Sequence, residues 1–259
     1  MYQPIVPTGG LVGWRFLERT LDTQIDAYAK SDAIERSMEY FRERIGTIET
    51  PEALVADRRL LTVALEAFGL GEDIDAKFLI RRVLEEGTSA NDALANRLSD
   101  KRYREFSDAF GFAGFGGPKT RLPGFADRIA DRFVEQSFEA AVGEQNEALR
   151  LALNARTALA EVAANSGSDD VAWFNIMGTP PLRAVMEGAL GLPQGIGVLD
   201  LDRQLGEFRA RAQSAFGTSD VSELAQPDVL ERVIDRYLIR DSAANAPPTS
   251  PALMLLRGF

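Results

Sequence analysis

Cysteine and histidine are both absent from the 259 residues. Their absence removes disulfides, Cys nucleophiles, Ser-His-Asp triads, Cys/His zinc sites and iron–sulfur clusters. It also removes any imidazole able to titrate near neutral pH. Lysine is scarce: Lys30, Lys77, Lys101 and Lys119 are the only ones, and the other basic side chains are arginines. No apolar run reaches the roughly 18 residues of a membrane span. The opening residues, from Met1 through Pro4 and Pro7 to Gly10, lack the basic and apolar regions of a secretory signal. The formal net charge of −10 argues against nucleic acid, because phosphate binding needs a basic face.

What is present is ordinary for a globular chain: 45% hydrophobic and 26% charged residues. A chain of this length buries a sizeable core without covalent staples. Apolar residues recur at steps of three and four almost throughout, which predicts an all-α fold, a multi-helix bundle. Trp14, Leu17, Leu21, Ile25 and Tyr28 begin a stripe that Ile34, Met38, Phe41 and Ile45 continue, with Gly46 as its C-cap. Thr50-Pro51-Glu52 is a hydroxyl cap, a first-position proline and a first-turn acid, and starts a helix that runs to Gly69. Three more short helices are expected before residue 111, carrying Phe78 and Val83, then Leu94 and Leu98, then Tyr103, Phe106 and Phe110. One very long helix is expected over residues 125–165, with Gly143 inside it as a kink or a close contact. Ser166-Gly-Ser-Asp-Asp170 and Thr179-Pro-Pro181 cap two further helices, Val198-Leu-Asp-Leu-Asp202 reads as a short extended piece, and helices follow at about 200–215 and 227–240.

The domain reading is a flexible leader at 1–13, one all-α domain at 14–242 and a loose tail at 243–259. Within the domain, sub-units 14–110 and 125–242 flank a hinge at the glycine-rich stretch 111–124. Leu61 to Leu70 and Leu182 to Leu192 echo each other, each an apolar helix ending in Gly-Leu. Either two divergent copies of one helical unit are joined by the long central helix, or the same C-cap is simply used twice.

Several motifs invite chemistry and carry little of it. Gly114-Phe-Gly-Gly-Pro-Lys119 lacks the preceding strand and the Gly-Lys-Ser/Thr of a P-loop, and reads as a connector. Asp200 and Asp202, like Asp73 and Asp75, place two carboxylates two residues apart, too few for a hard-cation site and suited to helix N-termini. Glu85-Glu86 and Asp169-Asp170 read the same way. Gln145-Asn-Glu147 with Arg150 is a polar cluster, solvated or fixing helix register. No catalytic, metal or cofactor residue is therefore assigned, and the chain reads as a non-enzyme. The candidate partner-contact residues are Trp14, in a Trp-Arg pair suited to interfaces and equally to core packing, and the apolar Leu253, Met254, Leu255 and Leu256.

Six segments carry a resemblance: Gly13-Trp-Arg-Phe-Leu-Glu-Arg-Thr20, Arg59-Leu-Leu-Thr-Val-Ala-Leu-Glu-Ala-Phe-Gly-Leu70, Phe78-Leu-Ile-Arg-Arg-Val-Leu-Glu85, Asp100-Lys-Arg-Tyr103, Phe138-Glu-Ala-Ala-Val-Gly-Glu-Gln145 and Asp200-Leu-Asp-Arg-Gln204. Over residues 10–240 the chain resembles an alphaproteobacterial domain of unknown function whose genes often lie within flagellar gene clusters. The resemblance implies an all-helical fold and a flagellar context, and supplies no catalytic residues. It implies a protein partner among flagellar components, with the chain cytoplasmic or exported to the flagellum without a cleaved signal. A cytosolic regulator or export chaperone is the alternative, and a carboxylate-based metal enzyme using Asp200 and Asp202 a more remote one.

Overall fold

The computed structural model describes residues 2–114 and 116–245. Among these residues every regular element is helical and no strand occurs, as the period of the apolar residues required. The chain forms a multi-helix bundle organised as two compact units. Residues 2–5 and 19–145 make unit 1, and residues 6–18 and 146–245 make unit 2.

Helix α1 (Gly10–Ala29) contributes its first nine residues to unit 2 and the remainder to unit 1. Unit 1 continues with α2 (Asp32–Arg44), α3 (Pro51–Ala56), α4 (Arg58–Glu66), α5 (Lys77–Glu86), α6 (Leu94–Arg97), α7 (Arg102–Phe110) and α8 (Phe125–Gly143). Its core lies where α4 meets α2 and α8. Phe68, Phe106, Phe110 and Phe125 form a chain of tilted and edge-on rings there, with neighbouring centroids 5.5, 5.0 and 5.3 Å apart.

Unit 2 contains α9 (Glu147–Asn165), α10 (Asp169–Met177), α11 (Pro180–Leu190), α12 (Leu201–Phe216), α13 (Val221–Leu224) and α14 (Pro227–Ala244). Helices α9, α11 and α14 pack on one another around Leu149, Leu153, Val185 and Leu238. Trp173 stands edge-on to Phe208 at 5.9 Å, and its indole N–H donates to the Ser219 carbonyl at 2.9 Å.

Three helices expected as continuous are broken, each time at a polar residue in extended backbone. The stripe over residues 14–45 divides at Ser31 (ψ 137°), whose hydroxyl donates to the Tyr28 carbonyl and closes α1. The helix from Pro51 divides at Asp57 (ψ 98°), whose carboxylate accepts from the amides of Arg59 and Leu60. The long helix over 125–165 is two helices. Asn146 (φ −155°) breaks it, and its side-chain oxygen accepts the Leu149 amide at 3.0 Å. The expected central helix is thus absent, because a cap supplies locally the partners that an uninterrupted helix would supply itself. The extended piece expected at Val198 is instead a single 3₁₀ turn, Ile196–Val198, leading into the Asp200 cap of α12.

The two Gly-Leu endings have one local cause. Gly69 and Gly191 adopt φ of 66° and 65°. The amides of Leu70 and Leu192 reach back to the carbonyls of Leu65 and Glu187, and those of the glycines to Glu66 and Gly188. Both are Schellman ends, for which a left-handed residue is needed and glycine is the least strained choice.

Residues 2–5, in the stretch read as leader, are held by side-chain amides. Gln24 accepts from the Ile5 amide at 2.6 Å and donates to its carbonyl, and Gln145 donates to the Pro4 carbonyl at 2.8 Å.

Candidate functional site

One concavity in unit 1 begins with the break at Asp57. Capping α4 engages Asp57 Oδ1, which accepts from Arg59 and Leu60 at 3.0 and 3.1 Å. Oδ2 is then free to accept the Tyr40 hydroxyl at 2.7 Å. Burial alone would work against this carboxylate. The Tyr40 hydroxyl, the two amides and the charge of Arg44 outweigh it and hold Asp57 below the usual range. The hydrogen bond to Asp57 in turn anchors the Tyr40 ring, half-buried on α2. The guanidinium of Arg59 stacks on that ring at 3.7 Å from its centroid, and Arg44 approaches it at 5.6 Å. Arg58, beside them, pairs with Asp75 at 2.8 Å. Arg44, Asp57, Arg58 and Arg59 border an open cleft of about 600 Å³ whose apolar wall includes Ile48, Ala53 and Ala56.

A second cleft in unit 1, about 420 Å³, lies along the glycine-rich stretch between α7 and α8. Helix α7 precedes it, and the Lys119 ammonium donates to the Asp108 carbonyl at 2.7 Å instead of standing over a phosphate-sized space. Thr88 closes onto the Asp108 carboxylate across the same cleft.

The paired acids have structural partners. Asp200 caps α12 by accepting the Arg203 amide at 2.9 Å, and Asp202 stands exposed in the first turn. Asp73 accepts the Tyr103 hydroxyl at 2.9 Å. Desolvation, with the Asp73 hydrogen bond and charge, pushes the Tyr103 hydroxyl up to about 12. Glu86 accepts the Leu94 amide at 2.6 Å and Arg82, while Glu85 shares a hydrogen bond with Glu52 that lifts its carboxyl and lowers that of Glu52. Asp169 accepts the Val221 amide at 2.9 Å, and Arg209 joins it to Asp170. Among the described residues no three acidic side chains gather as metal ligands would.

In unit 2, Trp14 is fully buried at 0% exposure and presents no surface. Leu253, Met254, Leu255 and Leu256 lie outside the described residues. A further apolar group, not singled out as a contact from the sequence, stands exposed on unit 2. Val198, Leu199 and Leu201 stand 89%, 37% and 59% exposed around the start of α12. Their sequence signal was apolar residues on both sides of a helix cap, in a run too short to build a buried face.

A family model described as Protein of unknown function (DUF1217) matches residues 67–230. The chain is similar in fold to a protein from Agrobacterium tumefaciens whose X-ray crystal structure is known. The two share 24% identity at a TM-score of 0.75, over 94% of this chain and 100% of that one. No curated protein matches.

Proposed function

The chain belongs to the family of proteins of unknown function DUF1217, and from that premise we propose that it is a non-enzymatic helical protein of flagellar assembly or structure, acting through protein–protein contacts. The observation that carries the contact reading is the group Val198, Leu199 and Leu201, apolar and exposed together on unit 2. Clustered apolar side chains in water cost free energy that a partner recovers, at about 25 cal/mol for each Å² covered. The flagellar assignment is supported by the six segments from Gly13 to Gln204 and their resemblance to a domain with that genetic context. The chain works in the cytoplasm or after export, and its lack of cysteine suits both. The apolar residues Leu253 to Leu256 are a second proposed contact.

An in-frame deletion scored for swimming, with a complemented strain, tests the reading. Loss of swimming restored by the wild-type gene supports it; normal swimming overturns the motility role. Fractionation then decides between a structural part, found with the flagellum, and a regulator or export chaperone, retained in the cell.

A further inference from the structure

We propose that the cleft of unit 1 bordered by Arg44, Arg58 and Arg59 is a docking site for an acidic peptide segment of a partner protein. This rests on the reading that the chain works through protein contacts, and adds the chemistry of one contact.

Charge is the first argument. The chain carries a net −10, yet Arg44, Arg58 and Arg59 converge on one cleft. The carboxylate in its wall, Asp57, has one oxygen on two amides and the other on the Tyr40 hydroxyl, so little of its hydrogen-bonding capacity remains for the arginines. Some exposed arginines elsewhere are matched with acids, as Arg42 is with Asp127, Arg82 with Glu86 and Arg150 with Glu147, while others such as Arg97 and Arg232 make no ion pair among the described residues and do not border this cleft. Arg44 and Arg59 make no close ion pair among the described residues: Arg44 acts on Asp57 through its charge alone, both lie near the Tyr40 ring, and Arg59 reaches the Arg36 carbonyl at 3.5 Å.

Geometry is the second. The Arg59 guanidinium lies over the Tyr40 ring at 3.7 Å; one of its donors, Nη2, reaches the Arg36 carbonyl at 3.5 Å, and the rest of its planar fork is the kind that receives a carboxylate through two parallel bonds. The ring is itself fixed by its hydroxyl, so the donor is oriented before any ligand arrives. The apolar wall of Ile48, Ala53 and Ala56 lowers the local dielectric and concentrates the field of the arginines in the cleft. A long polyanion such as nucleic acid would run beyond the cleft onto a chain of net charge −10, whereas a short acidic segment places its charge only where the arginines are.

The test is fluorescence anisotropy of a labelled hexaglutamate peptide against the full chain at low salt, with hexaglutamine as control. Binding of hexaglutamate alone, with a Kd of about 0.1 mM or tighter, is expected. Joint substitution Arg44→Gln and Arg59→Gln is expected to weaken it about tenfold, and Arg232→Gln on unit 2 to leave it unchanged. Circular dichroism checks that each variant folds. Should the glutamine pair unfold, Arg44→Lys with Arg59→Lys keeps the charge and removes the fork, and a loss of about threefold is expected. No binding with protein at about 1 mM, or binding indifferent to either pair of substitutions, overturns the site. Displacement by inorganic phosphate, where chloride of equal ionic strength does not displace, also overturns it and assigns the cleft to a free phosphate. A deletion strain that cannot swim, with no hexaglutamate binding, leaves the motility reading standing and removes only this one.

Discussion

The Arg15 guanidinium lies 2.8 Å from the Asp235 carboxylate, a pairing across 220 positions of sequence within unit 2. The same guanidinium reaches Glu231 at 2.6 Å and Glu18 at 2.9 Å. Burial pushes the Asp235 carboxyl above its ordinary value. Arg15 pulls it down, and Glu231 and Glu18 push it up again. A raised carboxyl favours the fold most when protonated, and that contribution is lost as pH rises through its folded value. At neutral pH the ionised Asp235 is therefore a cost that Arg15 offsets. Arg15→Gln is expected to lower stability by about 1 kcal/mol at pH 7, and by less below about pH 4. Urea unfolding at both pH values checks this, and a deficit independent of pH would contradict it.

Asp57 behaves in the opposite sense. Its folded value is depressed, so its stabilisation is present above the unfolded value of about 3.9 and disappears as pH falls through the lower folded one. Asp57→Ala removes the α4 cap and the Tyr40 acceptor together, and is expected to cost about 1–2 kcal/mol at pH 7. Thermal unfolding of variant and parent should converge in acid.

Two helical glycines are expected to respond to alanine with opposite signs. A methyl group on Gly188 would meet the buried Tyr237 ring at 2.7 Å, while Gly206 on α12 has open space around it. Gly206→Ala should stabilise by about 0.5–1 kcal/mol through helix propensity. Gly188→Ala should instead destabilise by about 1–3 kcal/mol through overpacking. Equal effects in denaturant melts would show that the α11–α14 interface yields more readily than its geometry implies.

Val198→Asp combined with Leu201→Asp tests the contact reading with the fold held constant. Both side chains are exposed, so stability should move by less than about 0.5 kcal/mol for each. A complementing gene carrying both substitutions should fail to restore swimming. Full restoration would mean that this surface is not the contact.

The caps that fell between recognisable stripes were legible from residue types alone. Thr50 accepts the Ala53 amide before Pro51, Ser168 accepts that of Val171, and Gly87 and Gly111 end their helices with positive φ. The breaks at Ser31, Asp57 and Asn146 were not, because each interrupts a stripe whose apolar phase continues on the far side. Two short helices burying one stripe and one long helix burying it look alike in period, and an internal polar residue is neutral until its backbone turns. Short α13 was hidden for a related reason: a single turn has too few residues to establish a period. The cleft was invisible because Tyr40 and Asp57 are 17 positions apart, and no local pattern relates an arginine to the ring it will stack on.

The sequence by itself determined that the chain is helical throughout its described length, where many of its helices stop, and which side-chain chemistries it lacks. Those properties depend on composition or on neighbours within one or two turns, where hydrogen bonding and rotamer sterics act. Only the tertiary structure decided that residues 6–18 complete the unit formed by 146–245, that Trp14 is enclosed while Val198 is not, and that Arg44 and Arg59 share one tyrosine. The hydrophobic effect is non-directional and rewards any burial of an apolar stripe. Which stripe meets which is therefore settled by packing across the whole chain, and the surface left for a partner is what that packing does not use.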